Sequence, residues 1–101
     1  MPIAYVQEFD VDPGDRSTTG YDAIAERLNA EADPPAGLIV HTAGFAGDVF
    51  RIFDVWESED HRRRFQDERL TPIIEQAMQD GTVGGPPPRD YTYELHDLVR
   101  G

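Results

Sequence analysis

Residues 48–65, DVFRIFDVWESEDHRRRF, decide the fold. The first half reads as a β-strand. Val49, Arg51, Phe53 and Val55 point one way; Phe50, Ile52, Asp54 and Trp56 point the other. Both faces are largely apolar, so the strand is expected to be central and covered on both sides. The period then changes. Ser58 is a helix cap, and Glu59 and Asp60 fall in the first turn, where carboxylates suit the helix dipole.

Working outward, residues 3–9 alternate as a strand, with Ile3, Tyr5, Gln7 and Phe9 on one face and Ala4, Val6 and Glu8 on the other. A polar loop follows, with a turn at Pro13 and Gly14. Thr18 or Thr19 caps a helix expected to run to about Glu31, with Tyr21, Ile24, Ala25, Leu28 and Ala32 as its apolar stripe. Asp33-Pro34-Pro35-Ala36-Gly37 stops it. Residues 38–45 form a strand joined to the strand at 49–57 by a short Ala46-Gly47 hairpin link. A second helical region spans Ser58 to about Met78. Pro72 is expected to divide it, with Thr71 capping the fresh segment. Residues 80–90 are a loop, and a last strand runs from Tyr91 to about Val99.

The order β-α-β-β-α-β over residues 1–101 predicts one domain. Two strand–helix–strand passes imply a four-stranded antiparallel sheet with both helices on one face, the ferredoxin-like α+β arrangement. The other face has no element left to cover it, yet one face of the third strand offers Phe53 and Val55, and the other Phe50, Ile52 and Trp56. Either would be a larger exposed patch than soluble monomers usually show. A homodimer packed sheet to sheet resolves this, with Arg51, Phe53 and Val55 inside. Arg51 must then reach the rim or find an acidic partner.

Composition narrows the function. The formal net charge is −11, with 20 acidic residues against nine basic ones, all arginine. A field of that sign repels phosphate backbones and anionic lipid, which argues against nucleic acid and membrane surfaces as partners. There is no cysteine, so disulfide frameworks and thiolate metal sites are excluded. No apolar run approaches the ~20 residues of a membrane span. The N-terminal MPIAYVQEFD lacks the regions of a signal peptide, so a cytoplasmic location is expected. There is no P-loop, dinucleotide fingerprint or GxSxG elbow. His41, His61 and His96 lie on different elements without metal-ligand pairing, so no metal site is expected.

Three stretches carry a family resemblance: GLIVHTAG at 37–44, DVWES at 54–58 and FQDERLTPII at 65–74. With the element order, they make the chain resemble the dimeric α+β barrel superfamily, in particular its antibiotic-biosynthesis-monooxygenase-like branch. That superfamily includes cofactor-independent oxygenases acting on quinol-like aromatics, haem-degrading enzymes and other small enzymes. The resemblance implies a cofactor-independent monooxygenase for a small aromatic or polyketide-like substrate, needing no cofactor. The alternative is a non-catalytic dimeric module that binds a small hydrophobic or aromatic ligand. The haem-degrading branch pairs its strand-end tryptophan with a histidine about ten residues later and an asparagine on the first strand. Trp56 matches, but the helical position ten residues on is Gln66, His61 lies only five residues on, and the first strand has no asparagine.

The candidate catalytic residues are His41 and Asp54. An even-length hairpin loop puts His41 on the face of Ile52, with Asp54 and Trp56 further along. By resemblance, that is the helix side, where the superfamily places its pocket. His41 is then a proton carrier or a hydrogen-bond partner for a substrate oxygen, or else a histidine satisfied by a neighbour in the core or dimer contact. Asp54, a carboxylate in an apolar strand, is either a base or a structural group paired with an arginine or backbone donors. Trp56, Phe50 and Ile52 are candidate substrate-binding residues, the aromatic pair as a wall for a flat ligand or as ordinary core. Tyr21 adds a hydroxyl. Arg62, Arg63 and Arg64 read as surface helix pairing at i,i+4 spacing: Glu59 with Arg63, Asp60 with Arg64, and Arg64 with Glu68.

Overall fold

The computed structural model describes residues 2–11 and 17–101; the Pro13-Gly14 turn lies outside them. The elements are β1 (Ile3–Asp10), α1 (Thr19–Leu28), β2 (Leu38–Ala46), β3 (Val49–Trp56), α2 (Glu59–Phe65), a π-helical segment (Gln66–Leu70), α3 (Thr71–Gln79) and β4 (Arg89–Glu94). The four strands form one antiparallel sheet in the order β2-β3-β1-β4. This is the β-α-β-β-α-β ferredoxin-like arrangement, with β3 inside the sheet.

Register sorts the two faces. Ile3, Tyr5, Gln7 and Phe9 of β1 stand opposite Trp56, Asp54, Ile52 and Phe50 of β3. The helices pack on this face. The Trp56 ring lies 5.4 Å from Phe65 of α2, and the Arg62 guanidinium sits 4.5 Å over the Tyr5 ring. Ile3, Tyr5 and Trp56 make the buried core there, with Leu38 and Phe65 packed against it. On the opposite face Ala4, Val6 and Val55 are buried, while Val40, Tyr91 and Tyr93 are exposed. Arg51 finds partners on that face: it donates to the Tyr91 hydroxyl at 3.0 Å and pairs with Glu8 at 3.5 Å.

Several expected boundaries differ from the structure. α1 stops at Leu28, not Glu31, because Asn29 takes the left-handed conformation (φ 51°) and returns its N–H to Ala25. Asparagine tolerates that geometry better than most residues, so it ends the helix ahead of the proline pair. Ala32 therefore lies outside the helix. At the other end, Thr18 occupies the cap position, but its hydroxyl donates to the Asp22 carboxylate at 2.8 Å and accepts from no backbone N–H among the described residues.

The second helical region is interrupted, but not by a cap and restart. Thr71 is right-handed helical, and its N–H reaches back to the carbonyl of Gln66, five residues earlier. Pro72 has no N–H for the α ladder. The widened π turn absorbs the mismatch just before it, so the chain stays helical through Gln79. β4 begins at Arg89 and ends at Glu94. Leu95 still bonds Pro2 at 3.0 Å, but residues 96–99 have no strand partner among the described residues. Of the arginine run, Arg62 and Arg63 pair with Glu59, and Arg62 also donates to Gln66 at 2.7 Å. Among the described residues, Arg64 forms neither ion pair expected of it.

The Ser58 cap is in place, accepting from the His61 N–H at 3.2 Å. Its neighbour Gly37 fixes where β2 starts. Gly37 has φ +84°, its carbonyl accepts from Glu57 at 2.8 Å, and a Cβ there would run into the His61 imidazole. Gly37→Ala should therefore cost at least ~1 kcal/mol, through left-handed strain and displacement of α2. Chemical denaturation measures it, and an unchanged midpoint would show that α2 yields freely.

Candidate functional site

The β2–β3 hairpin builds the site. Its loop is Gly47-Asp48, with Ala46 opposite Val49, and Gly47 at φ +60° supplies the positive angle that a tight hairpin turn needs. The centre of the turn is one residue later than the Ala46-Gly47 link expected from the sequence. The loop length stays even, so His41 keeps its expected face. Its partner changes: His41 stands opposite Asp54, not Ile52, which faces Ala43.

That register brings two candidate residues into contact. His41 Nδ1 lies 2.5 Å from Asp54 Oδ1. The Asp54 side chain is only 12% exposed, against 43% for His41. The carboxylate thus takes its partner from histidine, whereas an arginine or a set of backbone donors was the structural expectation. The bond to Asp54 raises the His41 pKa above the ordinary 6.5, against the opposing effect of burial.

The first turn of α1 adds the third member. The Tyr21 hydroxyl lies 2.6 Å from His41 Nε2, and the two rings are parallel within 6° at 6.2 Å. Burial pushes the Tyr21 hydroxyl pKa up, and the negative charges of Asp54 and Asp22 push it further. Asp54, His41 and Tyr21 thus form one chain of hydrogen-bonding groups running from β3 through β2 to α1.

Phe50 meets Tyr21 edge to face at 5.2 Å. It also contacts Phe45 at 5.1 Å and Phe9 at 6.4 Å. These two phenylalanines were not singled out from the sequence. The signal was there, because register alone sets Phe9 and Phe45 on either side of Phe50. Ile52 is buried on the same face, between this aromatic group and Asp54.

Trp56 is not part of the Phe50 wall. The two residues sit at opposite ends of β3, about 20 Å apart at ~3.3 Å per residue. Trp56 is 1% exposed and packs in the core with Phe65. Its indole N–H is buried with no hydrogen-bond partner among the described residues.

Two of the surface hollows among the described residues have walls that include none of His41, Asp54 and Tyr21. One, of about 250 Å³, lies over β2 and β3 on the face away from the helices, lined by Thr42, Gly44, Arg51 and Phe53 among others. The other, of about 400 Å³, lies beside α2, between Pro35, His61, Arg64, Phe65 and Arg69. Among the described residues no group of three His, Asp or Glu side chains is placed to hold a metal ion. No helix there is long and apolar enough to cross a membrane.

No family model matches the chain, and no curated protein matches it. Solved structures do. A protein of unknown function from Nitrosomonas europaea superposes with a TM-score of 0.71 at 20% identity, covering 99% of this chain and 94% of that one. A monooxygenase of Streptomyces coelicolor, solved with nanaomycin D, gives 0.67 at 17% identity over 98% and 91%. SnoaB, a cofactor-independent oxygenase from Streptomyces nogalater, gives 0.64 at 14% identity over 99% and 98%. Over nearly its whole length the chain therefore shares the ferredoxin-like α+β fold of these solved structures, two of which are oxygenases.

Proposed function

We propose that the protein is a cofactor-independent monooxygenase acting on a small, electron-rich aromatic or polyketide-like molecule. The observation that carries this reading is the Asp54–His41–Tyr21 chain beside the Phe50 aromatic group. A phenolic substrate becomes a far better electron donor to oxygen once it loses a proton. The protein's task is then to take that proton and hold the ring, while the substrate itself supplies the electrons. One atom of dioxygen enters the substrate, and the other leaves as water. His41 is the proton acceptor, and Asp54 stabilises the imidazolium that results. Phe50, Phe45 and Tyr21 offer apolar and edge-on aromatic surface. Fold likeness to two oxygenases supports the reaction class.

We further propose that the working form is a homodimer joined through the sheet face away from the helices. Val40, Tyr91 and Tyr93 are exposed there beside Phe53 and Val55. Burying each large apolar side chain gives ~1.5–3 kcal/mol. Several from each copy exceed an association cost of ~4–15 kcal/mol. A two-fold contact uses the one patch twice. The contacts to Glu8 and Tyr91 keep the Arg51 charge paired there.

A second reading is a dimer that holds a small hydrophobic ligand without turning it over. The two surface hollows favour it, because neither includes His41.

Oxygen uptake with a panel of quinols separates the two readings. The wild type should consume oxygen with at least one member. His41→Ala should lower the rate ~10²–10⁴-fold while circular dichroism stays native. No uptake with any quinol would favour the ligand-holding module.

The pH dependence has a definite sign. Only neutral imidazole accepts a proton, and the Asp54 bond holds the His41 pKa above 6.5. The rate should therefore rise with pH through that raised value and level off above it. The stability term runs the other way. The charged pair contributes fully below pH ~6.5 and is lost as pH rises through the raised His41 pKa. A rate that falls across this window would exclude His41 as the acceptor.

Light scattering at micromolar concentration should give about twice the monomer mass of 11.4 kDa. Phe53→Asp should split the dimer or unfold the chain. A wild-type monomer would remove the dimer from the proposal.

A further inference from the structure

We infer that Tyr21, not His41, is the group that meets a substrate hydroxyl, with His41 and Asp54 aligned behind it to receive the proton. This inference rests on the oxygenase reading above and assigns the order of contact within the same site.

The reason is the occupancy of the imidazole. Nδ1 is 2.5 Å from Asp54, and Nε2 is 2.6 Å from Tyr21. A neutral imidazole has one donor and one acceptor, and here both edges are engaged. An ionised carboxylate only accepts, so the Nδ1 proton belongs to the Asp54 bond. Nε2 then carries the lone pair, and the Tyr21 O–H donates to it. His41 has nothing left to offer a substrate. The Tyr21 oxygen does: its lone pairs meet no other polar group among the described residues.

Position agrees with this order. Tyr21 stands on the first turn of α1, half-buried, with Phe50 meeting its ring edge to face and Phe45 and Phe9 beyond. A flat aromatic lying along this group would have the Tyr21 hydroxyl beside it. The charged and titratable groups acting on Tyr21 are His41 on β2, Asp54 on β3 and Asp22 on α1. The two acidic ones disfavour a tyrosinate, so Tyr21 passes a proton on and does not store negative charge.

The step balances. The substrate O–H bond breaks and its proton joins the Tyr21 oxygen. In the same event the Tyr21 hydroxyl proton moves to His41 Nε2. Tyr21 is neutral before and after. The products are a substrate phenolate and an imidazolium whose Nδ1 proton stays on the Asp54 bond. Tyr21 is the catalytic residue in contact with substrate; His41 accepts through it, and Asp54 positions His41.

Tyr21→Phe tests this, since it keeps the ring against Phe50 and removes only the hydroxyl. Nitrogen NMR of histidine-labelled protein, above the His41 titration midpoint, should show neutral His41 protonated on Nδ1. In Tyr21→Phe the His41 titration midpoint should rise by about 0.5–1 pH unit, because a donor to the neutral form is lost. With 2-naphthol as the probe, the wild type should show a shifted Tyr21 Cζ resonance, and Tyr21→Phe should bind it about tenfold more weakly. Oxygen uptake should fall ~100-fold or more in Tyr21→Phe, and the Tyr21→Phe/His41→Ala double variant should be no worse than either single one. An Nε2-protonated tautomer, equal 2-naphthol affinity, or Tyr21→Phe uptake within about threefold of wild type would each overturn the assignment. A wild type that consumes no oxygen defeats the oxygenase reading alone; the tautomer and the 2-naphthol affinities still decide whether Tyr21 is the contact.

Discussion

β3 has to be buried on both faces and hydrogen-bonded along both edges, and the rest of the structure follows from that constraint. Val55 is 3% exposed on one side and Trp56 1% on the other. Such a strand cannot lie at a sheet edge, and β2 and β1 flank it. The two strand–helix–strand passes then leave the helices on one face. Trp56, Tyr5 and Ile3 become the core under α2, and on the other side Val55 is buried while Phe53 stays partly exposed, with no helix of the described residues packed over it.

The same constraint explains why a carboxylate survives in the middle of an apolar strand. Asp54 sits opposite Tyr5 on one neighbour and His41 on the other. Tyr5 is not its partner, because the Tyr5 hydroxyl donates to Asp90 at 2.8 Å. His41 therefore satisfies Asp54, and Tyr21 occupies the remaining nitrogen of His41. A buried carboxylate without a partner would be costly, so the pair supports the fold even before any chemistry is considered. Structural and functional readings of Asp54 are compatible, since a well-held imidazole is also a well-placed proton acceptor.

Helical continuity through residues 66–72 depends on a different accommodation. Proline at position 72 cannot donate to the α ladder, and the helix responds with a π turn just before it. Phe65 thereby stays packed on Trp56 and under the Arg69 guanidinium, while Ala77 of α3 remains fully buried. Arg69 also donates to the Leu28 carbonyl at 2.9 Å, tying this segment to the end of α1. α1, which carries Tyr21, is thus held by the region the proline perturbs.

The sequence by itself determined the element order and the face of each strand residue. Both rest on local rules: a period of two in strands, turn residues between them and the shape of strand–helix–strand connections. It also placed His41, Ile52, Asp54 and Trp56 on one face, because any even hairpin loop does so. Tertiary structure decided which of them touch. The turn formed on Gly47 and Asp48, where glycine supplies the positive φ, and that choice moved the partner of His41 from Ile52 to Asp54. Which strand end faces which helix is set by long-range packing, so the separation of Trp56 from the Phe50 group was not legible in the spacing. The meeting of Tyr21 with His41 was not legible either. It depends on where α1 lies across the sheet, which packing against α3 and the following turn fixes, with Arg27 reaching Asp80 and Thr82. No pattern within ten or twenty residues encodes such a contact, because the groups that make it are brought together only when the helices and sheet pack.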